Sequence, residues 1–448
     1  MSGLKGNAAA IGQFLANAPV TGLPPAVSHA ASNCLIDWLG VTIAGAAEPV
    51  AQAAVAYTEA QTLVLPWIAA GPAAENAAFV NGAAAHALDF DDTHIPTDSH
   101  LSAVTWAALL ALAEPGRDSG QDLLQAFVVG YEVAAKLAGR RMGFSLQFRW
   151  FHPTAVLGRV ASAAASGALL KLSPLQSANA VALSLTMAGG LRASSGGMGK
   201  PLQAGFAARD GVTAALLAQA SAEGPLALLE PEGGFAKAFV QDGNADWVAL
   251  EPDMLGQDWA VLRTSIKPYA CLHGIHPSID AAREVAAETS SPGIVAVSAY
   301  VAPGVRQVGH FTDPQTPLEA KFSVAFCTAM GLAGLRCAAS DFSAKTLSNP
   351  EIRRLCHVVE VVPEEGRKML DSRVTVTLKD GTEVSGETAL SRGHPGNPLS
   401  AEELAAKFRD LAHGRLCARA GTVLQLVENF NDLNDITQFS TALHGPAV

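Results

Sequence analysis

Over the first 260 or so positions, apolar residues recur at the three-to-four-residue spacing of helices that bury one face. That spacing predicts helices over residues 29–46, 51–62, 73–88, 102–113, 121–137, 154–172, 174–188 and 201–222. Many of these segments are rich in Ala and Gly, which suits close helix–helix packing better than strands. No fixed repeat period runs through them, so a solenoid is not expected. After about Ser265 the pattern changes. Residues 294–301 and 358–362 read as strands, and residues 373–387 alternate around Asp380-Gly381, a hairpin signal. Helices are predicted among them at 277–289 and 317–335. At Ser400 helical spacing returns, with Ser400 and Glu403 in the arrangement of a capping box for 401–412, and a further helix at 423–430. The predicted fold is mainly α. A large all-helical domain is formed by the N- and C-terminal parts, residues 1–265 and 400–448, and a smaller α+β domain is inserted at 266–399.

Composition narrows the class. A chain of 448 residues is too long for one ordinary core. With 49% apolar and only 16% charged residues it has much surface to bury, some of it expected in an oligomer interface. No stretch reaches the roughly 18 uninterrupted apolar residues of a membrane helix. The start, MSGLKGNAAAIGQFLANAPV, lacks a sustained apolar core with a cleavage site, so no signal peptide is expected. The six cysteines include no CxxC pair, which weighs against a zinc knuckle or disulfide scaffold and fits a reducing cytoplasm. A net charge of −11 disfavours nucleic acid as a partner. A small anion can still be held by a few placed lysines.

The densest chemistry lies in residues 81–100, NGAAAHALDFDDTHIPTDSH. An alanine-rich helix runs into Asp89, Asp91 and Asp92, followed by Thr93, His94 and His100, with Pro96 and Asp98 hindering any continuation of the helix. Phe151-His152-Pro153-Thr154 sets an imidazole at the mouth of a helix that Thr154 is expected to cap. The run from Gly189 to Pro201 is a glycine-rich loop ending in Lys200 just before a helix, a combination of backbone N–H groups and cation suited to an anion. Lys267-Pro268-Tyr269, with Cys271, His273 and His276, sits at the domain boundary, and Glu319-Ala320-Lys321-Phe322-Ser323 opens a helix beyond it. Taken singly, each has a structural explanation: capping acids, a satisfied core histidine, a flexible loop. His86, Asp89, Asp91, His94 and His100 are metal-ligand types, but no His-x-x-x-His pair or similar tight spacing joins them, and no metal is expected. The glycine loop matches neither nucleotide-binding pattern, and no GxSxG elbow exists.

Taken together, HALDFDDTH with a downstream His, FHPTAVLG, GMGKPLQAGFAARDG, KPYACLHGIHPSIDAA and EAKFS resemble, in order and approximate spacing, the MmgE/PrpD family. That family includes 2-methylcitrate dehydratases, cis-aconitate decarboxylases and iminodisuccinate epimerases. The resemblance runs from about residue 8 to past 390. It implies a helical domain built from both termini, a smaller α+β lid domain, and a homodimer. By motif it implies catalytic roles for Asp89, Thr93, His100, His152, Lys200 and Lys267, with Gly197, Lys200, Lys267 and His276 binding substrate. The KPL form of the glycine loop is more similar to the decarboxylase and epimerase branch. Phe326 departs from the pattern, standing where related sequences often carry Tyr.

All three family chemistries add or remove charge at a carbon beside a carboxylate. Lys200, Lys267 and the loop N–H groups are expected to hold substrate carboxylates and developing enolate-like charge. Asp89 is expected to act as a base or to orient a histidine. His100 and His152 exchange protons near neutral pH, which makes them the acid/base candidates. The expectation is a cytoplasmic, cofactor-independent lyase acting on a small di- or tricarboxylate by dehydration or decarboxylation. An epimerase of a dicarboxylate such as iminodisuccinate uses the same residues. A helical binding protein that has lost catalysis is the non-enzymatic alternative, and the intact Asp89, His100, His152, Lys200 and Lys267 set weighs against it.

Overall fold

A computed structural model describes residues 4–17, 22–58, 74–139, 142–230, 234–241, 254–289 and 293–444. Positions 59–62 and 73, included in two predicted helices, lie outside them. The chain forms two compact units: residues 1–87, 91–265 and 401–448 make the first, and residues 88–90 with 266–400 the second.

The first unit is helical, apart from a two-residue antiparallel pair, β1 (Thr93–His94) with β2 (Thr264–Ser265). Pro25 sits in the first turn of helix Pro25–Gly45, where a missing N–H costs nothing. Helix Pro153–Leu169 is buried along its whole length and packs against Leu101–Leu112, Gly120–Ala138 and Gly199–Gln219. Small side chains permit that approach. A Cβ added at Gly211 would lie 2.3 Å from the Ser162 Cβ on the neighbouring helix, so only glycine fits there. The C-terminal helix Ala401–Leu416 returns to Pro25–Gly45, and Lys407 reaches the buried Asp37 at 2.6 Å.

The second unit holds a four-stranded sheet of β3 (Ile294–Val301), β4 (Val359–Pro363), β5 (Ser372–Leu378) and β6 (Glu383–Thr388) in the order β4-β3-β5-β6. The β3–β4 pair is parallel and the others antiparallel. The β5–β6 hairpin turns through Asp380-Gly381, with Gly381 at φ +85°. Helix His276–Glu288 covers β5 and β6.

Local differences from the expectations have local causes. The helix predicted over 317–335 is two, Pro317–Ala320 and Val324–Leu332, because Ser323 is extended and caps the second by accepting the Phe326 N–H. Phe326 itself is buried in that second helix. The alanine-rich helix is Ala74–Ala85 and stops short of Leu88. Thr154 does not cap helix Pro153–Leu169. His152 occupies the cap position, and the Thr154 hydroxyl instead accepts the His100 backbone N–H at 3.0 Å.

Candidate active site

The end of helix Ala74–Ala85 is where the first unit's chemistry starts. His86 lies in the turn that follows it, and Asp91 and Asp92 come after Asp89, a residue held at φ +52° in the left-handed region. A bulky residue rarely adopts that conformation, whereas Asp tolerates it. Downstream, His100 precedes helix Leu101–Leu112 and His152 precedes helix Pro153–Leu169.

Three imidazoles meet here. The His86 and His100 rings are 4.8 Å apart edge to face, and His86 stacks on His152 at 5.5 Å. One carboxylate serves two of them: Asp91 Oδ2 lies 2.8 Å from His86 Nδ1 and 3.1 Å from His100 Nδ1. Burial alone would raise the Asp91 carboxyl, but the His100 and His86 rings outweigh it and hold Asp91 well below its ordinary range. An ionised carboxylate only accepts, so His86 donates from Nδ1–H. His100 Nδ1 is also 2.7 Å from the Asp92 carbonyl, another pure acceptor, so it too bears its proton on Nδ1. His152 Nδ1 is 3.0 Å from Gln203 Oε1, while Gln203 Nε2 donates to the Leu191 carbonyl and the Ser194 hydroxyl. Those partners fix the amide's orientation and leave its oxygen toward the ring. His86 and His152, with Nδ1 engaged in this way, keep their lone pair on Nε2.

Burial is the main cause that pushes His86 down to about 4, against the pull of Asp91. His152 is lowered well below its usual value by burial, then by His86, Lys200 and His100. Both are uncharged at neutral pH. His94, buried nearby in sequence, is pushed down to about 3 by burial and donates or accepts at Thr97 Oγ1, 2.8 Å away. The Thr93 hydroxyl and His86 Nε2 are both buried without a hydrogen-bond partner among the described residues.

The glycine loop is tied down from below. His152 N–H donates to the Gly190 carbonyl, Arg192 N–H to the Trp150 carbonyl, and the Arg159 guanidinium to the Gly189 carbonyl. Gly190 has φ +132°, and a Cβ there would lie 2.5 Å from Ala155 Cβ and 2.9 Å from Gln203 Oε1. The loop delivers Lys200 into the first turn of helix Gly199–Gln219, one turn before Gln203. The Gly197 N–H donates to the Ser194 carbonyl at 3.1 Å.

In the second unit, buried Lys267 donates to the Asp89 carbonyl at 3.0 Å and pairs with its carboxylate at 3.4 Å. Lys321 donates to the Leu88 carbonyl at 2.6 Å, so two buried ammonium groups hold one turn. His276 is fully buried, donates from Nε2 to the Cys271 carbonyl at 3.2 Å, and packs against Tyr269 and His273. Thus His100, His152 and Lys200 gather with His86 and Asp91 in one unit, and Asp89 pairs with Lys267 in the other. Of these, His86, Asp91, Gln203 and Lys321 were absent from the expected set.

His86, Asp91 and His100 place donor atoms within 4.8 Å of one another, the one such group among the described residues. A cation held by Asp91 Oδ2 and the two Nδ1 atoms would have to displace the Nδ1 protons of both rings, whose hydrogen bonds already serve that oxygen.

The MmgE/PrpD N-terminal domain matches residues 9–248 and the MmgE/PrpD C-terminal domain residues 269–432. The chain is 31% identical over 388 residues to a cis-aconitate decarboxylase of Homo sapiens, covering 83% of this chain and 79% of that one. It is 31% identical over 394 residues to the Mus musculus protein of the same name, with 83% and 79% covered. A cis-aconitate decarboxylase of Aspergillus terreus is 30% identical over 406 residues, with 84% and 82% covered. This chain belongs to the MmgE/PrpD family.

Proposed function

We propose that this protein is a cofactor-independent lyase that removes carbon dioxide from a tricarboxylate resembling cis-aconitate. The observation that carries the reading is the meeting of His86, His100 and His152 with Asp91 and with Lys200, whose charge acts on His86 and His152. The substrate follows from the relatives named above, which are cis-aconitate decarboxylases.

Such an acid carries a carbon–carbon double bond flanked by a carboxymethyl group. A proton is added to the alkene CH carbon, the one that does not carry the carboxymethyl group. The bond from the methylene carbon to its carboxylate breaks, and that electron pair becomes the new double bond. One proton enters and one carbon dioxide leaves. His100 is the proposed proton donor, since its Nδ1–H faces the Asp91 carboxylate and the Asp92 carbonyl, which suit an imidazolium. His152, held neutral, offers its Nε2 lone pair as a hydrogen-bond acceptor that can orient the substrate. Lys200 supplies the positive charge that a polyanion needs at the moment charge moves off the departing carboxylate. Thr93 contributes its unused hydroxyl. Asp89 and Lys267 enter as an ion pair that fixes the turn leading into Asp91.

The test is release of carbon dioxide from cis-aconitate by the purified protein and by His100→Ala. Wild type should release it, and loss of a general acid should slow turnover about 10²- to 10⁴-fold. Absence of release by wild type, or full release by the variant, would sink this reading.

A further inference from the structure

The resemblance points to His100, His152 and the lysines, and leaves Asp91 and His86 without a part. Yet the Asp91 side chain touches the proposed proton donor, 3.1 Å from His100 Nδ1, and it is buried. Its Oδ2 faces two imidazoles, and its charge adds to the burial that raises the Asp37 and Asp92 carboxyls in the same interior. His86 is the second ring on that oxygen, and its Nε2 has no hydrogen-bond partner among the described residues. Two acceptors already compete for His100 Nδ1–H, and the Asp92 carbonyl at 2.7 Å is the nearer. The tautomer of His100 is therefore set by the Asp92 backbone. Asp91 does something else for that ring: it places a full negative charge beside it.

We infer that Asp91 is a positioning residue that stabilises the charged form of His100, and that His86, on the same carboxylate oxygen, braces Asp91 in a fixed tautomer. The inference rests on the proposed lyase reaction for its kinetic consequence and on geometry alone for its spectroscopic one. His86 donates Nδ1–H to the carboxylate, stays neutral, and holds the carboxylate in place without competing for charge. A carboxylate behind an imidazole stabilises the imidazolium without being protonated itself, and replacing it by an amide at unchanged geometry costs up to about 10⁴-fold in rate where this has been measured in triads.

The test uses Asp91→Asn, Asp91→Glu and His86→Asn in the full chain with nitrogen-15-labelled histidine. In Asp91→Asn the amide can present its –NH₂ to His86, so the His86 signals should change from the Nδ1–H to the Nε2–H tautomer, while His100 keeps Nδ1–H through the Asp92 carbonyl. Turnover should fall about 10²- to 10⁴-fold with KM changed less than threefold. Asp91→Glu should recover part of the rate. His86→Asn, which keeps an N–H donor near the Nδ1 position, should lose less than Asp91→Asn. In the His100→Ala background, Asp91→Asn should add almost nothing, because its effect passes through that ring.

An unchanged His86 signal in a folded Asp91→Asn protein would overturn the inference, and so would rate losses that multiply independently in the double variant. Should the wild type leave every acid untouched, the lyase reading fails by itself, and the nitrogen-15 arm still decides what Asp91 does.

Discussion

Lys200 and His100 differ in what they ought to do, and the difference can be measured one residue at a time. Lys200 meets charge that is present in both substrate and transition state, so Lys200→Ala should raise KM as well as lower kcat. His100→Ala should fall mainly on kcat. Steady-state kinetics on the two variants checks the split, and equal effects on both constants in both variants would contradict the assignments. The sequence made the lysines and the two outer histidines visible because each sits in a separate motif. His86 and Asp91 stood in plain view inside HALDFDDTH, yet their spacing of five residues matches no helical ligand pair. Only the stop of the helix at Ala85 and the left-handed turn at Asp89 swing both toward His100. Gln203 was hidden differently. It lies three residues after Lys200, on a helix whose start is fixed by loop hydrogen bonds that no sequence pattern displays.

At the scale of elements, the helical spacing predicted most helices of the first unit to within a few residues, because their apolar faces and proline starts are local signals. The break at Ser323 was missed, since an apolar run looks continuous while a single extended serine ends one helix and caps the next. Two glycines carry predictions. Gly211→Val would press a branched side chain into Ser162 and should destabilise the protein by about 1–3 kcal/mol or more, read from the midpoint of urea unfolding. Gly190→Ala would strain a backbone at φ +132° and push on Gln203. It should therefore reduce kcat and loosen the His152 tautomer even where the variant remains folded, which nitrogen-15 spectra of the His152 ring would show.

Across the whole molecule, buried neutral histidines make acid costly. The unfolded chain binds a proton at His94 near pH 6.5, whereas the folded protein does so only at about 3. Stability must therefore fall as pH falls through that window. At about 1.4 kcal/mol for each unit by which a pKa moves, His94 alone accounts for ~5 kcal/mol of it. His86, pushed to about 4, acts with the same sign. Asp91 adds stability that is present above its ordinary carboxylate range and lost below it, whereas Asp37 and Asp92, both raised by burial, act in the opposite sense. His94→Asn, which keeps a polar partner for Thr97, should flatten the loss between pH 6.5 and 4 relative to wild type in urea titrations, the other groups being common to both proteins. An unchanged slope would show that His94 titrates normally. Chain organisation was partly legible: the return of helical spacing at Ser400 marked the C-terminal helices, but nothing in the pattern showed that Lys407 would seek Asp37. Nor did it show that residues 88–90 would group with the second unit. The proposed reaction turns on proton delivery coupled to loss of carbon dioxide. Proton NMR in D₂O, with the purified protein and a panel of citrate, 2-methylcitrate, cis-aconitate and iminodisuccinate, tests that directly. The predicted result is new methylene-alkene signals from cis-aconitate, with one deuterium on the adjacent saturated carbon and slow or no change in the others. Deuterium entering unchanged iminodisuccinate without any alkene product, or silence across all four acids, would contradict it.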